Sequence, residues 1–114
     1  MDCIFCKIIA GEIPSKKAFE NERVLVFYDI APMAPVHLLA IPKVHISSAA
    51  EVTADNSEIM SEIFEVLAGL AREFGLDKSG FRIVTNCGED GCQSVSHLHF
   101  HLLGGKKLPA DLGK

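Results

Sequence analysis

Three histidines at alternate positions, His97-Leu98-His99-Phe100-His101, are the residues of this sequence best suited to chemistry. In an extended strand successive side chains point to opposite faces. His97, His99 and His101 would then share one face, and Leu98, Phe100 and Leu102 the other. A rise of ~3.3 Å per residue sets neighbouring imidazoles about 6.6 Å apart at Cα. A single histidine in a strand is usually structural, but three on one face compete for protons and add little to packing. Neutral imidazole near pH 7 is both a nucleophile and a metal ligand. The triplet therefore points to nucleophilic catalysis or to a His-x-His metal centre.

The segment feeding this strand, Gly88-Glu89-Asp90-Gly91-Cys92-Gln93-Ser94, is punctuated by glycine. Glycine lets backbone approach a phosphate closely, and a turn of N–H groups forms an anion-binding concavity. Gln93 and Ser94 would add neutral donors. The same pattern also suits an ordinary turn, and only the neighbouring histidines give it weight. Far upstream, Cys3-x-x-Cys6 has the spacing of half a tetrahedral zinc site. That pair alone is open between zinc, redox chemistry and coincidence.

The elements that would position these groups are mostly strands. Lys17–Glu20 and Arg23–Ile30 carry β-branched and aromatic residues on either side of Asn21-Glu22, which predicts a hairpin. Ala31–Pro35 is a loop, because two prolines remove donors and oppose regular structure. His37–Ile41 is a third strand stopped by Pro42, Phe81–Asn86 a fourth and His97–Leu102 a fifth. Between them Ile59, Ile63, Val66, Leu67, Leu70 and Phe74 recur at intervals of three and four, which predicts one long helix. Asp55 with Glu58 resembles a capping box, and Gly75 suits the C-terminal stop. Strands with a single long helix imply an α+β fold with a mainly antiparallel sheet.

At 114 residues there is room for one domain, residues 1–114. A domain so small buries a modest share of its surface, so a core shared with a second copy is expected. The net charge of −4 argues against a polymeric nucleic-acid partner, which calls for a basic stripe. No run reaches the ~18 apolar residues of a membrane span, and the amino terminus lacks a basic-then-apolar signal. The expected setting is cytoplasmic and reducing, where four cysteines read as metal ligands or free thiols. A Cys87–Cys92 disulfide is not expected there.

Gln93-Ser94-Val95-Ser96-His97-Leu98-His99-Phe100-His101-Leu102-Leu103-Gly104-Gly105 resembles the histidine-triad signature, His-φ-His-φ-His-φ-φ with φ apolar. The resemblance spans nearly the whole chain. Phe5–Ile9, Phe27–Pro32, Ala34–His37, Ile41–Ile46 and Val84–Asn86 follow in the family's order, and the match is nearest to its nucleotide-binding phosphoramidase branch. The resemblance implies a five-stranded, mainly antiparallel sheet with one long helix and a short N-terminal helix, two copies joining into a continuous sheet. It implies cleavage at the α-phosphorus of purine nucleoside phosphoramidates, AMP-linked amides above all. His99 would be the nucleophile that forms a covalent nucleotidyl-histidine, with His101, His37 and Ser94 completing the catalytic set. Asp29 would hold the ribose, while Phe5, Phe27 and Ile30 would wall the purine. Asn86, Cys92, Gln93 and Ser94, with His99 and His101, would meet the phosphate. Cys3, Cys6, His45 and His97 would hold a structural zinc, and no catalytic metal would be required.

Two features depart from the family's pattern. Cys92 stands where relatives often have glycine, and residues 106–114 contain no tryptophan or paired prolines. Two other functional classes fit parts of the sequence. One is a His-x-His zinc metallohydrolase, and the other an AMP-binding regulatory module with little turnover.

Overall fold

The computed structural model describes residues 3–111. The chain opens on a short helix, α1 (Ile4–Ile9), whose N-cap is Cys3: its Sγ accepts from the Cys6 amide at 3.2 Å. A hairpin follows, β1 (Lys17–Glu20) and β2 (Val24–Tyr28). Asn21 makes its turn, the side-chain oxygen accepting from the amides of Arg23 and Val24 at 2.9 and 2.8 Å. Aspartate and asparagine turns of this kind replace a backbone bond that the reversal would otherwise lose.

β3 (Val36–Pro42), β4 (Phe81–Val84) and β5 (Phe100–Gly104) complete one sheet of order β1-β2-β3-β5-β4, all pairs antiparallel. Both faces of its centre are covered. Val24, Val26, Leu38, Ala40, Phe100 and Leu102 pack under the long helix α2 (Glu58–Glu73) through Ile63, Leu67 and Leu70. Leu25, Phe27, Leu39 and Ile41 pack on the other face beneath Phe5 and Ile8 of α1. This explains why β2 and β3 read as continuous apolar runs instead of alternating ones.

Several boundaries differ from those read in the sequence, each for a hydrogen-bonding reason. The fifth strand starts at Phe100, not His97, because the chain before it bonds elsewhere: the Leu98 amide donates to the Ile46 carbonyl at 2.6 Å. The fourth strand ends at Val84, where the Thr85 hydroxyl takes over and donates to the His99 carbonyl at 2.8 Å. The capping box at Asp55 and Glu58 does not form. α2 begins at Glu58 after Ser57, which makes no side-chain cap. Asn56 organises the approach, bonding the Thr53 amide and the Glu51 carbonyl at 2.7 and 3.1 Å. Gly75 stops the helix as expected, in the left-handed region at φ 74. A single further turn, α3 (Leu76–Ser79), then leads into β4. No described helix is long and apolar enough to cross a membrane.

Candidate functional site

The alternation at residues 97–102 has the predicted consequence. Leu98, Phe100 and Leu102 join the core under α2. The histidines lie on the opposite side, where the Phe5 ring meets His97 and His99 edge-on at 5.9 and 5.1 Å between centroids. His37, from β3, joins them. Its Nε2 is 2.9 Å from Nδ1 of His101, and the two strands place Leu39 directly opposite His101.

Hydrogen-bond partners fix which nitrogen of each ring carries a proton. His99 Nδ1 lies 2.7 Å from the His97 carbonyl, which can only accept. Nδ1 is therefore the donor, and Nε2 keeps its lone pair. His37 is set the other way, because the Met33 amide donates to its Nδ1 at 3.1 Å. His37 Nε2 must then carry hydrogen and donate to His101 Nδ1, which leaves His101 with Nε2–H. One backbone amide thus sets two tautomers in series. The site ends as a lone pair on His99 beside an N–H on His101.

The electrostatics favour the neutral forms of His37 and His101. Burial, aided by the neighbouring His99 and His37, pushes His101 down to about 4, with Asp29 pulling weakly the other way. Burial also lowers His37, again opposed by Asp29, whose Oδ2 is 3.4 Å from Nε2. Asp29 is held in place by its own turn, Oδ1 accepting from the Ala31 amide at 2.8 Å.

Among the described residues two groups bring metal-ligating atoms together: Cys3, Cys6, His45 and His97, and Asp29, His37 and His101. The tautomers separate them. His97 donates Nε2–H to the Pro42 carbonyl at 2.9 Å, so its Nδ1 presents a lone pair to the first group. That nitrogen lies 3.3 and 3.6 Å from the sulfurs of Cys3 and Cys6, and 3.1 Å from His45 Nδ1; Cys6 Sγ lies 3.3 Å from His45 Nδ1. A tetrahedron with ordinary zinc bond lengths has edges of about 3.6 Å for S to N and about 3.3 Å for N to N. The donors match it, and the carbonyl behind His97 is the outer contact such ligands normally have. Without a cation, burial and the adjoining Cys3 raise the Cys6 thiol, opposing the thiolate form. The second group fits a metal poorly. Both ring nitrogens of His37 are engaged, one accepting from Met33 and the other donating to His101.

The glycine-punctuated loop closes as a Schellman turn. The Gln93 amide donates to the Gly88 carbonyl and the Cys92 amide to the Glu89 carbonyl, both at 3.0 Å. Cys92 fills the left-handed position of that motif at φ 61, a conformation that favours glycine. The Cys92 and Gln93 amides are thus committed to the turn instead of being open to an anion. Gln93 is committed at its side chain too, bonding the Gly88 amide and the carbonyls of Ser47 and Val95 at 2.9, 2.7 and 2.9 Å. Ser94 is exposed beyond the turn.

Asn86 meets His37 and His101 at a cavity of about 430 Å³. Phe5 and Phe27 stack edge-to-face at 5.5 Å and are buried, whereas Ile30 is fully exposed on the loop after β2. Sequence reasoning missed the Met33 amide, which carries no side-chain signal. It also assigned no site role to Lys106 and Leu108, which line the same cavity as His101.

A family model described as "Scavenger mRNA decapping enzyme C-term binding" matches residues 2–111. An uncharacterized HIT-like protein of Buchnera aphidicola subsp. Baizongia pistaciae is 43% identical over 105 residues, 92% of this chain and 94% of the relative. Among solved structures, a histidine triad protein from Clostridium difficile superposes with a TM-score of 0.94 at 51% identity, covering 97% of this chain and 96% of that one. A HIT family hydrolase from Legionella pneumophila Philadelphia 1 gives 0.95 at 45% identity, covering 98% and 100%. A histidine triad nucleotide-binding protein from Candida albicans gives 0.80 at 35% identity, covering 99% and 87%.

Proposed function

The chain belongs to the histidine-triad family, and from that premise we propose that it is a nucleotide hydrolase that cleaves AMP-linked amides through a nucleotidyl-histidine on His99. The observation that carries this reading is the bond from His99 Nδ1 to the His97 carbonyl at 2.7 Å, which leaves Nε2 unprotonated. The hydrolase and nucleotide-binding descriptions of two structural relatives agree with it.

In the first step the His99 Nε2 lone pair forms a bond to the α-phosphorus. The phosphorus–nitrogen bond of the substrate breaks, and its electron pair leaves with the amine, which takes one proton from solvent while His101 Nε2–H hydrogen-bonds a phosphate oxygen. In the second step water attacks phosphorus and breaks its bond to His99. The proton that water loses passes to solvent. Splitting one displacement into two is the usual gain of covalent catalysis. Burial keeps His101 neutral, and its Nε2–H serves as a hydrogen-bond donor to the phosphate. His37 sets its tautomer, and Asn86 and Ser94 contact the phosphate. Asp29 receives the ribose hydroxyls, while Phe5, Phe27 and Ile30 border the purine. Gln93 and Cys92 act by shaping the turn.

Cys3, Cys6, His45 and His97 hold zinc in this reading, and its role is structural. The ion would tie α1 to His97, two residues before the nucleophile. The working unit is a homodimer in the cytoplasm, joined through the sheet edge at β4 and the exposed rings of Phe64, Phe74 and Phe81. A turnover screen of AMP- and GMP-linked amides, anhydrides and fluoridates tests the function. Release of AMP from amides supports it. Turnover that stops at once on chelation would hand the site to a metallohydrolase.

A further inference from the structure

Cys3 and Cys6 are capable of a chemistry that a purely structural role leaves unused. They sit three residues apart across the first turn of α1, and helical geometry sets such positions roughly 5 Å apart at Cα. A disulfide spans Cα separations of about 4.4–6.8 Å, so the two sulfurs can join without unfolding the helix. They also start close, because the ligating atoms of Cys3, Cys6, His45 and His97 all lie within 4.8 Å of one another. Burial gives the pair an order. Cys3 is only 9% exposed, whereas Cys6 is half-buried and open to solvent on one side. A reachable sulfur beside a buried second one is the arrangement in which the first is modified and the second resolves it.

Joining the sulfurs would break the tie between α1 and the histidines. Cys3 Sγ lies 3.3 Å from His97 Nδ1, and Cys6 Sγ lies 3.3 Å from His45 Nδ1. Only a thiolate is a good metal ligand, so a disulfide would leave two imidazoles, which hold a cation weakly. α1 would then rest on the sheet by apolar packing alone, through Phe5 and Ile8. Phe5 stands between the two cysteines, and its ring meets His99 edge-on at 5.1 Å. The turn that carries the sulfurs therefore also carries the ring packed on the nucleophile of the proposed reaction.

Resting on the zinc and nucleotide readings above, we propose that Cys3 and Cys6 are a redox modification site for small-molecule disulfides of the glutathione class, and that its oxidation frees the metal and loosens Phe5 from His99. The Cys6 thiolate attacks the glutathione disulfide, forms a mixed disulfide and releases one glutathione thiolate. The Cys3 thiolate then attacks Cys6 Sγ, closes the Cys3–Cys6 bond and releases the second. The two cysteine sulfurs lose two electrons, the glutathione disulfide gains them, and each released thiolate takes a proton from solvent. Transient disulfides of this kind are the ones that a reducing compartment permits.

The test treats full-length, zinc-loaded protein with glutathione disulfide beside a chromophoric zinc indicator. Trypsin then separates the cysteines, leaving Cys3 and Cys6 on residues 1–7 and Cys87 and Cys92 on residues 83–106. The first peptide should lose the mass of two hydrogens, and zinc should appear one for one with the disulfide. The imidazole C–H resonances of His99 should shift as the Phe5 ring loosens. AMP should bind roughly threefold to tenfold more weakly, the range of one aromatic contact. Reductant with added zinc should reverse every change. Cys3→Ser should stall with one glutathione on Cys6, and Cys6→Ser, which keeps only the buried sulfur, should not respond. Residues 1–7 keeping both thiols under conditions that modify Cys87 or Cys92 would overturn the proposal. So would a Cys3–Cys6 disulfide that leaves the His99 resonances in place, or reduced protein that takes up no zinc. Reduced, zinc-loaded protein that fails to bind AMP would sink the nucleotide reading alone, since peptide mass, zinc release and the His99 resonances still decide the redox site.

Discussion

At the scale of single residues, the site is a set of proton positions fixed by backbone. His99 has its lone pair because the His97 carbonyl takes its proton, and His101 has its N–H because the Met33 amide orients His37. That His99, His101 and His37 belong together was legible in the sequence, from period-two spacing and the family signature, and the structure places them in contact. Their tautomers were not, because carbonyls and amides leave no mark in residue type. The neutral network has a pH signature. His37 and His101 sit below their ordinary value near 6.5, His101 at about 4. Between those two pH values the unfolded chain binds more protons than the folded one, so stability rises with pH across that window. Their contribution is complete above pH 6.5 and is lost as pH falls toward 4. Urea midpoints measured from pH 7.5 to 4.5 should decline in the wild type and decline less steeply in His101→Gln. Parallel slopes would show that His101 is not held neutral by the fold.

At the scale of elements, the strands and the long helix followed from residue pattern, while the order of strands in the sheet and the ends of elements did not. β5 begins late because Leu98 is claimed by Ile46, a contact between residues far apart in the chain that local pattern cannot report. The capping signal at Asp55 and Glu58 failed for a similar reason, since Asn56 already organises that turn. The glycine-punctuated loop shows the reverse case, a sequence oddity that geometry explains. Cys92 occupies a left-handed position that costs a residue with a Cβ on the order of 1 kcal/mol. Cys92→Gly should therefore stabilise the protein by roughly 0.5–1 kcal/mol in urea denaturation, the gain trimmed by the extra freedom of glycine in the unfolded chain. A loss of stability would mean the thiol makes contacts that outweigh the strain. The amino-terminal helix supplies a second test, because Cys3 is both its cap and a member of the metal group. Purified protein should carry about one zinc per chain, and Cys3→Ser should lower the melting temperature far more than it lowers kcat. Metal-free protein of undiminished stability would contradict this.

At the scale of the whole molecule, both faces of the sheet carry buried core, and the candidate site lies on one of them. α2 covers one face, and α1, the histidines and the segment after β5 share the other. β4 lies at an edge of the sheet and ends its ladder there, with Phe81 and Phe74 exposed nearby. An unpaired edge beside exposed aromatics is a surface that monomers usually protect. Sedimentation at micromolar concentration should accordingly give a particle of about twice the 12.4 kDa chain mass, and a monomer would count against the joined sheet. In the proposed mechanism this architecture presents one nitrogen lone pair to phosphorus. Intact-protein mass spectrometry after rapid quenching with an AMP amide reads that event directly. A single nucleotidyl group should appear, map to His99, and vanish in His99→Gly together with at least ~10³-fold of the turnover. Rapid turnover by His99→Gly, or a nucleotidyl group carried by any other residue, would contradict the account.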